Sequence, residues 1–331
     1  MTAERPLRLG SRKSPMAISQ SGDVARLITE RTGRQVEIVG VSTLGDVSRE
    51  QLSQIGGTGV FVSGLRDSLL RGEVDFAVHS LKDLPTGAAP GIALAAVPAR
   101  DDPRDALVGR DGAKLADLPA GARVGTGAPR RAAQIALLRS DISCVPIRGN
   151  ANTRLAKVHG GQFDAVVLAY AGLARIGHTD LVSEIFEPED MVPAPGQGAL
   201  AVECRTDDAA LAALLAAVDH PATRAAVTAE RSLLAALEAG CSAPVGAYAC
   251  RLAGTNTLHL EGVVLGVPGA SLPPGTVDSG TAAAGMVIRE RVEGDAVDAA
   301  RLGRDLAARM LALGAAGLMR AETTNGKDAH D

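Results

Sequence analysis

The sequence predicts an α/β protein: two hinged α/β domains followed by a small C-terminal α+β domain. Three observations carry this expectation. A chain of 331 residues exceeds what one hydrophobic core usually organises, so two or three domains are expected. The first two-thirds repeat one grammar of short apolar strand, polar turn and helix, which implies α/β layers with mainly parallel sheets. Two stretches rich in proline interrupt that grammar where a chain would cross between lobes.

Taken in order, LRLG (7–10) is a strand and SRKS a turn. PMAISQSGDVARLITERTG then reads as a helix, with Ser14 as N-cap, Pro15 at the first helical position and Gly33 as terminator. VEIVGVST (36–43) is a strand, and VDFAVHSL (74–81) is another that runs into KDLP. ARVGT (122–126) leads through GAP into the helix RRAAQIALLRS. ISCVPI (142–147) leads through RGN into a helix around TRLAKVHGG, and FDAVVLAYAGLARIG (163–177) is a buried strand followed by a short helix.

VPARDDPRDAL (97–107) reads as a charged crossing between similar halves, and MVPAPGQGALAVEC (191–204) as the return crossing, a Pro/Gly turn followed by a strand. Two crossings between two lobes make a hinged pair with a cleft. A third unit begins near His220, where PATRAAVTAERSLLAALEAG is a helix ending at Gly240. Strands near VGAYACRLAG and LHLEGVVLG follow, then a Gly/Pro/Ser-rich connection (268–286) and the helix AVDAARLGRDLAARMLALG. The tail AETTNGKDAHD is polar and expected to be disordered. The resulting boundaries are 1–98 with 199–217, 104–193, 218–320, and a tail at 321–331.

Composition narrows the function. Aromatic residues are 2% of the chain and Trp is absent, so cores are built from Ala, Val, Leu and Ile. The same scarcity argues against a nucleic-acid partner held by base stacking. A net charge of −4 gives no global attraction to polyanions, so any anion site is local. Arginine outnumbers lysine 29 to 5, a bias of composition that does not explain where particular arginines fall. Four cysteines in so long a chain are no disulfide framework. Neither CxxC nor HExxH occurs and the six histidines are scattered, so no metal is expected. With no apolar signal core and no run of 18 apolar residues, the expectation is a cytoplasmic protein with no membrane partner.

The arginines fall at strand-to-helix turns. Arg12 follows the first strand, Arg130 and Arg131 open a helix, Arg148 and Arg154 flank the next turn, and Arg175 ends a short helix. Ligands of open parallel sheets bind at the carboxyl ends of the strands, where helix N-termini favour anions. A guanidinium adds a planar fork matched to carboxylate or phosphate. One such arginine alone is an ordinary solvated charge; six at equivalent turns point to a ligand. Neither GxxxxGK[ST] nor GxGxxG occurs, so several separate carboxylates fit better than a nucleotide phosphate.

Asp83 follows the strand that carries Phe76, Val78 and His79 and is expected at the same edge. It could stabilise a developing cation or take part in proton transfer, or be an ion-pair partner of Lys82 or an arginine. His79 reads as a core-edge histidine. Cys144, Cys204 and Cys250 lie in strands and read as packing residues. Cys241, in ALEAGCSAPVG, follows a helix end and Gly240. It is either an inert turn cysteine or a point of covalent attachment.

These segments together resemble the porphobilinogen deaminase (hydroxymethylbilane synthase) family. The resemblance runs from about residue 7 to residue 320 and rests on RLGSRKSPMAISQ, GDVSREQLSQIGGTGVF, VDFAVHSLKDLP, DDPRDAL, VGTGAPRR, IRGNANTRL, DAVVLAYAGLARIG, PAPGQGALAVECR and LEAGCSAPVGAYA in the family's order. It implies two hinged, periplasmic-binding-protein-like α/β domains and a small α+β domain. It further implies a dipyrromethane cofactor attached to Cys241 through a thioether. Four porphobilinogen molecules would be condensed onto it with loss of ammonia, and hydrolysis would release 1-hydroxymethylbilane. Asp83 would be the catalytic group. Cys241, Lys82, Asp83, Thr126, Arg130, Arg131, Arg148 and Gly149 would hold the cofactor. Arg12, Ser14, Gln20, Arg148, Arg154, Arg175 and Gln197 would hold substrate. The family favours a monomer.

The chain departs from the family at two places. Many members have GTSS where Gly127 and Ala128 follow Thr126 here, and many carry lysines where Thr58 and Gln54 stand. The loop VSTLGDVSREQLSQIGGTG is long enough to act as a lid. The rival reading is a two-lobed carboxylate-binding protein without catalytic activity, in which a third domain displaying Cys241 has no purpose.

Overall fold

The computed structural model describes residues 5–41, 59–240, 243–266 and 287–320. The chain divides into two compact units, Met1–Asp102 with Gly196–Ala225 and Pro103–Pro195 with Ala226–Asp331. The lid loop, the 268–286 connection and the tail fall outside the described residues. Among the described residues no helix is long and apolar enough to cross a membrane.

The first unit is built on strands β1 (Leu7–Arg12), β2 (Val36–Val41), β3 (Phe76–Ser80), β4 (Ile92–Ala96) and β10 (Leu200–Arg205), in the order β2-β1-β3-β10-β4. β1 runs parallel to β2 and β3, whereas β10 runs against both β3 and β4. Alternation sorts the residues by face. Leu7, Leu9, Phe76, Val78 and Val202 pack with Val24 and Ile28 of helix α1 (Pro15–Thr32) and Leu211 and Leu215 of helix α6 (Ala209–Leu215). Ala77, from the opposite face of β3, packs with Leu65 and Leu69 of helix α2 (Gly59–Leu70). α1 begins and ends as its caps dictate. Ser14 accepts the Ala17 N–H, and Gly33 adopts φ 72° while donating to the Thr29 carbonyl.

The second unit begins with β5 (Asp105–Gly109), so the crossing expected to run through residue 107 ends three residues sooner, at Arg104. β6 (Arg123–Gly125), helix α3 (Pro129–Leu138), β7 (Ser143–Val145), helix α4 (Ala151–His159), β8 (Ala165–Ala169), helix α5 (Tyr170–Arg175) and β9 (Glu184–Ile185) follow. The sheet order is β7-β6-β8-β5-β9, with β6 parallel to β7 and β8 and with β5 antiparallel to β8 and β9. The two sheets thus share one plan, three parallel strands followed by a reversed strand in fourth place. In the first sheet that reversed strand comes late in the chain, after the return crossing; in the second it comes first.

The rest of the second unit is a three-stranded antiparallel sheet of β11 (Val245–Arg251), β12 (Thr257–Leu265) and β13 (Val287–Asp295), with most of helix α7 (Pro221–Ala236; its first five residues belong to the first unit), helix α8 (Ala299–Ala312) and a last short helix, α9 (Ala315–Arg320). β13 was not anticipated, although VIRERVEGD alternates as a strand should. α7 stops at Ala236 rather than Gly240, because Glu238 turns into the left-handed region at φ 52°. This small sheet is anchored on the larger one. Val263, Leu265 and Tyr248 pack with Ala133 and Val192, and the Ala247 N–H donates to the Pro193 carbonyl at 2.9 Å. Arg289 bonds buried Glu261 and donates to the carbonyls of Glu189 and Pro188 at 2.6 and 3.0 Å.

Candidate functional site

In the first unit the carboxyl ends of the parallel strands gather the expected residues. Arg12 is the last residue of β1, so it sits one step earlier than the turn in which it was expected. Ser14 caps α1, and Gln20 lies on the buried face of that helix. After β3 the chain makes a tight turn, Leu81–Asp83, fixed by Leu81 N–H donating to the Ala199 carbonyl at 3.0 Å. Because β10 is antiparallel, its beginning meets the end of β3, with Leu200 opposite Ser80. That register brings Gln197 to the turn: Lys82 Nζ donates to Gln197 Oε1 at 3.2 Å, and Gln197 is fully buried. Asp83 is exposed beside them. Lys82 is therefore engaged with Gln197, and Asp83 presents its carboxylate at the edge.

A charged cluster lies under the same strand. Glu203 on β10 takes both ends of the Arg66 guanidinium, at 2.6 and 3.0 Å. His79 Nε2 lies 3.2 Å from Glu203 Oε2, the oxygen that also accepts from Arg66 Nε. Burial pushes the Glu203 carboxyl up, but the contacts of His79 and Arg66 outweigh it and bring it down to about 2. His79 is 6% exposed, the core-edge residue that the sequence led us to expect.

The second unit repeats the arrangement with more charge. β6 ends at Gly125, and Thr126 follows, buried, its Oγ1 accepting the Ala128 N–H at 3.2 Å. Ala128 at the start of α3 has no side chain able to cap the helix, and the bond to Thr126 satisfies only its own N–H. Arg130 and Arg131 occupy the first turn of α3 but are not solvated: they are 3% and 7% exposed. Asp105, with no exposure, receives both. Arg130 Nη2 donates to Asp105 Oδ2 at 2.8 Å, and Arg131 donates through Nε and Nη2 to Oδ1 at 3.0 and 2.7 Å. The carbonyls of Val192 and Val167 take a further donor from each arginine.

Arg148 and Gly149 follow β7 in the turn before α4, where Asn150 caps the helix by accepting the Thr153 N–H. Gly149 holds φ 108°, and a Cβ there would lie 2.6 Å from Thr153 Cγ2, so this position requires glycine. Arg148 is exposed, and its carbonyl accepts from Lys157 Nζ. Arg154 is half-buried in the first turns of α4, with Nε on the Gly149 carbonyl at 2.8 Å. Burial and the nearby charge of Arg131 both lower its pKa. Arg175, at the end of α5 after β8, is half-buried. The unit therefore gathers Arg130 and Arg131 on a single carboxylate, with Arg154 close enough to Arg131 to feel its charge, a donor set suited to a ligand carrying several carboxylates.

Asp105 was missed by the reading of the sequence, although DDPRDAL was singled out. An acidic residue immediately before the apolar run ALVG was the available signal. Cys241 and Ser242 lie outside the described residues; on either side, the Ala243 N–H donates to the Gly240 carbonyl at 3.0 Å. Of the other cysteines, Cys204 is buried in the core, while Cys144 and Cys250 are only half-buried. Burial pushes the Cys144 thiol up to about 11, so it is an unreactive packing group.

Residues 7–213 match the family model "Porphobilinogen deaminase, dipyromethane cofactor binding domain", and residues 224–272 match "Porphobilinogen deaminase, C-terminal domain". Porphobilinogen deaminase 1 of Streptomyces coelicolor is 57% identical, over 96% of this chain and 98% of its own. The porphobilinogen deaminase of Thermobifida fusca is 57% identical over 94% of each chain. That of Acidothermus cellulolyticus is 50% identical, over 98% of this chain and 96% of its own.

Proposed function

The chain belongs to the porphobilinogen deaminase family, and on that premise we propose the residues through which it acts. The protein is a hydroxymethylbilane synthase, a transferase of porphyrin biosynthesis. It condenses four porphobilinogen molecules head to tail, with loss of ammonia, and releases 1-hydroxymethylbilane by hydrolysis. Its cofactor is dipyrromethane, which supplies the pyrrole end on which the chain is lengthened. A carboxylate-binding protein without catalytic activity, the rival reading, is not favoured by so extensive a match.

Cys241 is our attachment point for the cofactor. Thr126, Arg130, Arg131, Arg148, Gly149 and Lys82 hold it, and the observation that carries this is the gathering of buried guanidinium groups at the end of β6. Thr126 Oγ1 already accepts the Ala128 N–H, so its own hydroxyl hydrogen is the part to offer to a carboxylate. Gly127 and Ala128 offer no hydroxyl at all, which shifts the load to the arginines. Arg12, Ser14, Gln20, Arg148, Arg154, Arg175 and Gln197 receive the acetate and propionate groups of substrate. Asp83, exposed at the end of β3, contacts the pyrrole N–H and stabilises the positive charge that develops as ammonia leaves. We read the chain as three domains, 1–98 with 199–217, 104–193 and 218–320, in a cytoplasmic monomer.

Intact-protein mass spectrometry tests the reading. The wild type should carry a mass excess of two linked pyrroles, and Cys241→Ala should lack it. A wild type of unmodified mass that turns over no porphobilinogen would overturn the proposal.

A further inference from the structure

We propose that Asp105 is a positioning residue for the cofactor: it holds Arg130 and Arg131 in the orientation that receives the carboxylates of dipyrromethane. The inference rests on the functional reading above and goes beyond it, because Asp105 lies outside the set of cofactor and substrate residues.

The topology puts Asp105 there. β5 runs against β8, so its first residue lies opposite the last, Asp105 facing Ala169. An acidic residue at the start of the reversed strand therefore reaches the edge where the parallel strands end and α3 begins. Its backbone is fixed as well: the Asp105 carbonyl accepts the Phe186 N–H at 2.9 Å, and the neighbouring Arg104 carbonyl accepts from Tyr170 at 3.0 Å. The carboxylate is thus held from both sides by sheet bonds and is not a side chain on a mobile turn.

Its two oxygens are divided. Oδ2 takes Arg130, and Oδ1 takes Arg131 through two donors. Each guanidinium is also tied to a backbone carbonyl, Val192 for Arg130 and Val167 for Arg131. Two long side chains that would otherwise sample many rotamers are locked in advance, so binding does not have to order them. Within the trio, two cations meet one anion, leaving a charge of +1 (2 − 1). A bound carboxylate would meet that positive charge. Buried arginines brought together without Asp105 would repel each other and leave the sheet edge.

The test uses the purified full chain as expressed. In Asp105→Asn we expect the fraction of molecules carrying the dipyrromethane mass to fall about tenfold or more. Asp105→Glu keeps the charge but adds a methylene, and should fall in between, about threefold below wild type. In the loaded fraction of both, KM for porphobilinogen should stay near the wild-type value, because the loss lies in cofactor capture. Asp75→Asn serves as the control for simple destabilisation, since it breaks the pairing of buried Asp75 with the more exposed Arg5 and Arg8 in the other unit. It should lower the melting temperature without lowering the loaded fraction. If Asp105→Asn does not fold, Asp105→Glu decides alone. Wild-type loading in the folded Asp105 variants would overturn the proposal, as would an equal loss of loading in Asp75→Asn at matched stability. A wild type without the adduct would overturn the functional reading and this inference with it, whereas a loaded wild type with unaffected variants overturns only the role of Asp105.

Discussion

Asp83 is held at its place by its neighbours: Leu81 is pinned to Ala199, Lys82 to Gln197, and the carboxylate that follows is exposed. In the role proposed for it, replacing Asp83 would remove charge stabilisation while Cys241 and the arginines proposed to hold the cofactor stay in place. Asp83→Ala should keep the dipyrromethane mass and lose turnover by about 10²-fold or more, measured by product formation and intact mass on the same sample. Turnover at the wild-type rate would remove Asp83 from its role. Glu203 makes a different prediction. Burial raises its carboxyl, the contacts with His79 and Arg66 lower it by more, and the balance takes it from an ordinary 4.5 to about 2. A depressed carboxyl contributes stability above pH 4.5 and loses it as pH falls through about 2. The side chain is 4% exposed, and the shift corresponds to something on the order of 3 kcal/mol. Glu203→Gln should therefore lower stability at neutral pH and flatten its decline between those pH values, as read from urea midpoints at stepped pH.

At the scale of elements, α7 and α8 cross where Gly303 lies. A Cβ built there would stand 2.3 Å from the Ala229 carbonyl oxygen and 2.7 Å from the Leu233 nitrogen, both backbone atoms that cannot rotate away. Gly303→Ala should separate the helices at a cost of about 1–3 kcal/mol, visible as a lowered melting temperature. The small sheet shares this packing. Gly262 on β12 faces Leu233 and Met310, and the Ala249 N–H donates to fully buried Glu230 on α7. An unaltered melting temperature in the variant would mean that the crossing relaxes more easily than its contacts imply.

At the scale of the whole molecule, the two units differ in how their sheets are assembled from the chain. In the first, β10 lies between β3 and β4, although more than a hundred residues separate it from either. In the second, all five strands β5 to β9 are contiguous within Pro103–Pro195. A fragment of residues 1–102 lacks an internal strand and should remain unfolded, because β3 and β4 then have no common partner. A fragment of residues 103–195 should fold, with Ala133 and Val192 newly exposed where the small sheet packs. Circular dichroism and amide dispersion in NMR spectra distinguish the two outcomes, and a folded 1–102 fragment would contradict the topological argument.

Periodicity, caps and turn residues determined much by themselves: α1 between Ser14 and Gly33, the alternation of strands and helices, and the edge where arginines gather. These are local, set by side chains a few residues apart. β13 is also legible in its alternation, but its signal is masked by the adjoining stretch rich in Gly, Pro and Ser. What only the tertiary structure decided was partnership. Arg130 and Arg131 read in sequence as ligand-facing groups at a helix start, and they are buried on Asp105, 25 and 26 residues earlier; Lys82 meets Gln197 across 115 residues. Those pairings depend on which strand runs backwards in each sheet, a long-range choice that local patterns do not encode, and it is this reversal that places a carboxylate among the arginines.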